Sequence, residues 1–368
     1  MKQRIGFINL NAAALYYPQA ESFIGGAEVD SYMIAQMCHE LGHQVEVVIT
    51  ISDRAKGTWE HEGILLHNST VGNSSGFTWI RKLWQLIRSL DRKIWFTKII
   101  SPVSALLGLY CMLFRRILIY KAANERDLLL ALGKGEYSFK QRVYFHLTRM
   151  GTKVYIAQND NQLQAAARWF DKPGRKLLKI PNTHRPVAVT IRPLEEREYI
   201  LWVGHLKAFK GPEVVMQLAK AIPEQRFVMI AASKDTPEAG QYRTEIAPIP
   251  NIELIENVAF SDMSSYFSRA LVLVNSSISE GFPNTFLQAF QTLTPLATTG
   301  IDPDGMIVRA GLGKVAADVE ELANWLQDLR DQPEQYKEMQ DKLARYDQEY
   351  FSYDKVKEQY RKLLEEIA

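Results

Sequence analysis

Apolar positions along this chain follow two rhythms. Runs of strand length fall at residues 5–10, 45–50 and 64–67, and elsewhere apolar residues recur at spacings of three and four. Alternation of this kind is the mark of a parallel sheet whose strands are joined by helices. Gly25 and Gly26 open one helical pattern, carried by Val29, Met33, Ile34, Met37 and Leu41 and closed by Gly42. Glycine is a natural stop because it accepts the left-handed backbone that ends a helix.

Over 77–98 the pattern changes character. Phe77, Ile80, Trp84, Ile87, Leu90 and Ile94 keep helical spacing, and Arg81, Lys82, Arg88, Arg92, Lys93 and Lys98 lie among them with Asp91 the sole acid. The spacing predicts a basic amphipathic helix, with Trp79, Trp84 and Trp95 on it. Such a face suits an anionic membrane surface, or core packing with the charges left in water. A helix over 104–116 follows, then strands at 117–120, 153–157 and 176–180. Pro181 and Asn182 break the pattern, and 186–198 reads as a linker.

A second series begins beyond it. Strands are expected at 199–203, 226–231, 252–255, 271–275 and 295–298, with helices over 212–221, 263–270 and 284–293. After Val319 the pattern is helical to the end. The fold class is α/β, in two halves with a helical tail.

Size agrees with two halves, since 368 residues exceed what one hydrophobic core usually serves. A formal net charge of +2 gives no support to a nucleic-acid partner. Cys38 and Cys111 are far apart and lack metal-ligand spacing, so they are expected as reduced, buried thiols. The first residues lack the features of a signal peptide. The most apolar stretch, 103–114, falls short of the roughly 20 residues a membrane span needs. A cytoplasmic protein is expected.

Three local patterns sit at the ends of predicted strands. Gly25, Gly26, Ala27 and Glu28 stand at the mouth of a helix, where backbone amides and the helix dipole favour phosphate. Gly204, His205, Lys207, Lys210 and Gly211 follow the first strand of the second half, a loop able to hold a diphosphate by point charge and backbone donors. The third pattern runs Ser279, Glu280, Gly281, Phe282, Pro283, Asn284, Thr285, Phe286, Leu287, Gln288, Ala289. It starts after a strand and continues into a helix, which puts Glu280 at the carboxyl edge of a sheet, where α/β folds collect ligands. Glu280 can accept hydrogen bonds from sugar hydroxyls, and Gln288, one turn into the helix, can bond a ribose.

Taken in order, these patterns closely resemble the family 4 retaining glycosyltransferases. The likeness is strongest over 199–313 and weak over 58–149. It implies the GT-B fold, two Rossmann-like parallel-sheet domains facing across a cleft. The acceptor-binding domain would cover 1–185, the nucleotide-sugar domain 199–345, and a last helix within 346–368 would pack back on the first domain. The implied activity is transfer of a hexose-type unit, with retention, from a UDP- or GDP-linked donor to a glycan or glycolipid. Surface polysaccharide or lipopolysaccharide synthesis is the expected setting, either in the cytoplasm or peripherally on the inner face of the membrane.

Residue by residue, Glu280 matches the first glutamate of the family's Glu-x7-Glu motif, which contacts the donor sugar. Gln288 takes the place of the second glutamate, on the ribose. Lys210 matches the lysine that neutralises the diphosphate, His205 stands where many members have arginine, and Gly25 and Gly26 match the loop over the phosphates. Gly204, Lys207, Gly281, Phe282, Pro283, Asn284 and Thr285 complete the expected donor site, with Glu280 and Lys210 catalytic.

Departures are visible. Glutamine lacks the charge-assisted strength of a carboxylate, and neutral histidine offers a diphosphate less than an arginine fork. A family histidine is missing near Ala122 and Ala123, leaving Asn124 and Asp127 as acceptor-side candidates. These departures keep open a catalytically silent protein that binds a nucleotide or serves as scaffold for another transferase. An epimerase on the same fold fits the Glu280-to-Gln288 pattern less well. No cofactor and no metal are expected, because lysine and helix ends can carry the phosphate charge. Asp302, Pro303 and Asp304 read as a turn rather than a metal motif.

Overall fold

The computed structural model describes residues 2–17, 25–51, 57–69, 75–123, 137–170, 173–231 and 235–367. The chain forms two compact units, Met1–Thr183 with Asp354–Ala368, and His184–Tyr353.

The first unit is built on an eight-stranded sheet in the order β3-β4-β2-β1-β5-β6-β7-β8. Its strands are β1 (Arg4–Ile8), β2 (Gln44–Ile49), β3 (Gly57–His61), β4 (Ile64–Asn68), β5 (Ile94–Thr97), β6 (Ile117–Lys121), β7 (Thr152–Ala157) and β8 (Lys176–Lys179). All neighbours are parallel except the β3–β4 hairpin at one edge. The order reverses between β1 and β5, whose carboxyl ends therefore flank a topological switch point.

The helix expected over 77–98 is shorter than its apolar spacing indicates. It runs Gly76–Leu90 and stops at Asp91, which takes a left-handed conformation with φ 42°. Ile94, Trp95, Phe96 and Thr97 then form β5, buried at all four positions between β1 and β6. A β-branched and aromatic run prefers a strand, and the spacing of Ile94 from Leu90 hides it. Arg92 is consequently not on a lipid-facing surface. Its guanidinium donates to Glu46 at 2.7 Å, with side-chain exposures of 9% and 6%, and His67 Nε2 meets the same carboxylate at 2.9 Å. Burial raises the Glu46 pKa, but hydrogen bonds from Arg92 and His67 outweigh it and hold the carboxyl below its usual range.

One helix that apolar spacing does not announce has a clear start signal. Ser138 and Gln141 form a capping box that opens the helix Phe139–Gly151. This helix lies backbone to backbone on Pro102–Leu113. A Cβ at Gly108 would come within 2.2 Å of Leu147 O, and one at Gly151 within 1.9 Å of Gly108 O. The last helix, Tyr353–Glu366, packs on the first unit through the buried Tyr360, whose ring is 6.3 Å from Phe96, and through Lys357 to Glu40 at 3.1 Å.

The second unit has a six-stranded parallel sheet, β11-β10-β9-β12-β13-β14. Its strands are β9 (Tyr199–Gly204), β10 (Phe227–Ala231), β11 (Ile252–Glu256), β12 (Ala270–Asn275), β13 (Leu296–Thr298) and β14 (Gly313–Val315). Apolar side chains of β9, β10 and β12 alternate between two cores, with Trp202, Met229 and Val274 on one face and Leu201, Ile230 and Leu273 on the other. Arg197, inside the expected linker, is 2% exposed. Its guanidinium donates to the carbonyls of Arg192, Ala270 and Thr292 at 3.1, 3.0 and 2.9 Å and thereby closes this end of the sheet. Asp302 caps the short helix Met306–Ala310 by accepting from Ile307 N at 2.8 Å and Val308 N at 3.3 Å.

Candidate functional site

Strand order again reverses between β9 and β12, so the loops leaving these two strands meet at the switch point of the second unit. The first loop carries Gly204 to Gly211, the second Ser276 to Pro283. Two of the three sequence patterns thus belong to one site.

Lys210 Nζ and Glu280 Oε1 form a direct ion pair, each side chain 18% exposed. Ser277 Oγ donates to the same carboxylate oxygen at 2.9 Å, and Ser277 N is fixed by Asn275 Oδ1 at 2.9 Å. The loops are stitched by backbone as well, with Ile278 N donating to Phe209 O at 2.9 Å. Lys210 sits in a 3-10 turn, Ala208–Lys210, closed by Gly211 at φ 61°. Only glycine suits that position, since a Cβ there would stand 2.3 Å from Ser276 O. The helix Pro212–Ala221 starts at once with proline in its first turn.

Glu280 leads into the helix Asn284–Thr292, whose N-cap is Pro283, with no side-chain cap and no acid in its first turn. An uncapped N-terminus carries partial positive charge. Asn284, Thr285 and Gln288 are half-buried on this segment, His205 is half-buried and Lys207 exposed on the opposite loop. Phe282 is turned the other way. It is 6% exposed, with its ring 4.9 Å from Phe351 and 6.2 Å from Phe286, so its side chain belongs to the core and only its backbone faces the loop.

Gly25 caps the helix Gly26–Glu40 in the first unit, again without a side-chain cap. Asn124 and Asp127 lie outside the described residues. The carboxyl edge of the first sheet holds a charge cluster that no sequence pattern singles out. Asp30, 2% exposed, pairs with Lys98 just past β5 and, at 3.1 Å, with Lys121 at the end of β6. Lys121 Nζ also donates to Pro181 O at 3.2 Å. Burial pulls the Lys121 pKa down to about 7, although Asp30 acts to raise it. Burial raises the Asp30 carboxyl, but Lys121 and Lys98 outweigh that and hold it below its usual value.

Residues 197–332 match the family described as Glycosyl transferases group 1. Among curated protein sequences none matches the chain. Solved structures are similar in fold over nearly the whole length. The sucrose-phosphate synthase of Thermosynechococcus elongatus is 14% identical, with a TM-score of 0.81 over 100% of this chain and 99% of its own. Anabaena HepE, solved with UDP and glucose, is 13% identical, with a TM-score of 0.75 over 99% of this chain and 100% of its own. WaaG, a glycosyltransferase involved in lipopolysaccharide biosynthesis, is 16% identical, with a TM-score of 0.69 over 98% and 99%. The chain therefore has the GT-B fold and carries a group 1 glycosyl transferase domain in its second unit. The Lys210–Glu280 site lies inside that domain.

Proposed function

We propose that the protein transfers a hexose-type sugar, with retention, from a UDP- or GDP-linked donor to a glycan or glycolipid, as a family 4 enzyme. The observation that carries this reading is the meeting of Lys210 and Glu280 at the switch point of the group 1 domain. Departure of a nucleoside diphosphate builds negative charge on phosphate oxygen. An ammonium group and a helix N-terminus fixed in a half-buried site stabilise that charge better than water does. Within the chain Glu280 occupies Lys210. A donor diphosphate takes the carboxylate's place on the ammonium, and the released Glu280 turns to the sugar hydroxyls. Positive charge comes from the chain itself, so the reading requires no metal ion.

Anabaena HepE was solved with UDP and glucose, and WaaG is involved in lipopolysaccharide biosynthesis. Both fit a nucleotide-sugar donor and a cell-surface glycan product. A glycolipid acceptor is supported by the first unit. On Gly76–Leu90, Phe77 is 79% exposed and Arg81 and Arg88 face water; Leu113 is 57% exposed, and Arg88 lies over the Phe114 ring at 5.7 Å. An apolar rim with basic side chains suits the inner face of a membrane rich in anionic lipid.

The test is a turnover screen with UDP- and GDP-hexoses, scored for released nucleoside diphosphate. One donor should be consumed, and Glu280→Ala should abolish this while the variant still unfolds cooperatively, with some stability lost because Lys210 is left without its partner. Equal turnover by the variant would remove Glu280 from the mechanism.

A further inference from the structure

We propose that Ser276, seated on the Trp202 indole, is a positioning residue that sets the Lys210 loop against Glu280. This rests on the donor site proposed above and adds the part that holds its two halves together. Ser276 is 4% exposed and Trp202 2%. Trp202 Nε1 donates to Ser276 Oγ at 3.0 Å, and Ser276 Oγ donates to Lys210 O at 2.9 Å. The direction of both bonds follows from chemistry alone. An indole nitrogen only donates, a carbonyl only accepts, and a hydroxyl does each once here.

The arrangement spans the whole loop. At its start, a Cβ on Gly204 would come within 2.8 Å of the Trp202 ring, so the loop leaves β9 in contact with the indole. At its end, the Ser276 hydroxyl holds the backbone of Lys210 and the Ser276 carbonyl closes on Gly211. The next residue does the same for the other half, since Ser277 Oγ donates to Glu280. Adjacent serines at the end of β12 thus place cation and carboxylate on one ruler. The part of Trp202 is to orient the hydroxyl.

A positioning role predicts coupling. A displacement of the loop at Lys210 weakens what the ammonium does, and catalysis is steep in such displacements. Ser276→Ala should weaken binding of UDP, or of GDP if that is the nucleotide bound, by roughly 10-fold. It should lower kcat more than it raises the acceptor KM.

The experiment is a double-mutant cycle on nucleoside diphosphate affinity, measured calorimetrically for the full chain, Ser276→Ala, Lys210→Ala and the double variant. In the Lys210→Ala background the serine substitution should cost less than about 2-fold, because the group it positions is gone. Equal cost in both backgrounds would overturn the proposal and leave Ser276 a packing residue. Trp202→Phe is the second variant should Ser276→Ala not fold. It removes the indole donor, keeps an aromatic ring, and should show the same coupling to Lys210 at smaller size. Additivity of Trp202→Phe with Lys210→Ala would overturn the proposal just as additivity of the serine would. If the unsubstituted protein bound neither UDP nor GDP, the donor site would fall and Ser276 with it. If it bound one of them and Lys210→Ala weakened binding while the cycle stayed additive, only the positioning role would fail.

Discussion

Lys210 and Glu280 neutralise each other in this structure, although both are groups the proposed donor site uses. Each is only 18% exposed, so the pair is held in a partly dry setting where a lone charge is costly. In the proposed reaction Glu280 therefore competes with a diphosphate for the ammonium. Glu280→Gln keeps the shape and removes the competitor. It should tighten UDP or GDP binding by about 3- to 10-fold, on the order of 1 kcal/mol, while transfer is lost. Weaker nucleotide binding by this variant would show that the carboxylate aids the diphosphate instead.

Arg92 and Arg88 should behave in opposite ways. Arg92→Glu strips the buried Glu46 of its guanidinium and sets a second carboxylate beside it, which should cost about 3–5 kcal/mol in urea unfolding. Arg81→Glu changes an exposed position and should stay within about 0.5 kcal/mol of the parent, and Arg88→Glu, which also loses its place over the Phe114 ring, within about 1 kcal/mol. Those two should reduce co-sedimentation with anionic vesicles. Vesicle binding unaltered by the Arg81 and Arg88 changes would end the membrane reading.

The Asp30 cluster predicts a pH effect on stability. Folded Lys121 titrates near 7, pulled down by burial, against ~10.4 in an unfolded chain. Between these values the unfolded chain binds more protons, so this lysine makes stability rise with pH, by at most about 1.4 kcal/mol per unit. Burial raises Cys38 to about 12 and Cys111 above its usual value, and both act in the opposite direction above pH ~8.5. The difference between parent and Lys121→Met isolates the lysine's contribution. Lys98 still balances Asp30 in that variant. Between pH 7.5 and 9 the parent should gain on Lys121→Met; a constant difference would mean that Lys121 stays charged.

Gly211→Ala tests the turn beneath the site. A left-handed residue with a side chain costs roughly 1–2 kcal/mol, and here the new Cβ would also press to 2.3 Å from Ser276 O. The second unit should lose stability by more than the conformational cost alone, and nucleotide affinity should fall. Unfolding at the parent's urea midpoint would contradict this geometry.

Much of the architecture is legible in the sequence, and the reasons are specific. Strands buried on both faces, such as 199–203 and 271–275, show as plain apolar runs bounded by polar residues. The ion pair is readable only as two motifs, since a contact across 70 positions depends on β9 lying beside β12. Ile94 falls in phase with a helix and so reads as part of it, although Asp91 ends that helix. Asp30 and Lys121 give no local signal and Lys98 reads only as part of a basic helix, because they come from a helix, the end of β6 and the residue just past β5, and only the fold brings them together. Phe282 stands inside a ligand motif, yet it serves as the motif's anchor in the core.

In the proposed mechanism a nucleoside diphosphate binds through Lys210. Calorimetric titration of UDP and GDP into the unsubstituted chain and into Lys210→Ala tests it most directly. One nucleotide should bind, and the substitution should weaken it by about 10-fold or more, the loss of one charge-assisted contact. Binding of equal strength in both proteins, or none at millimolar nucleotide, would contradict it.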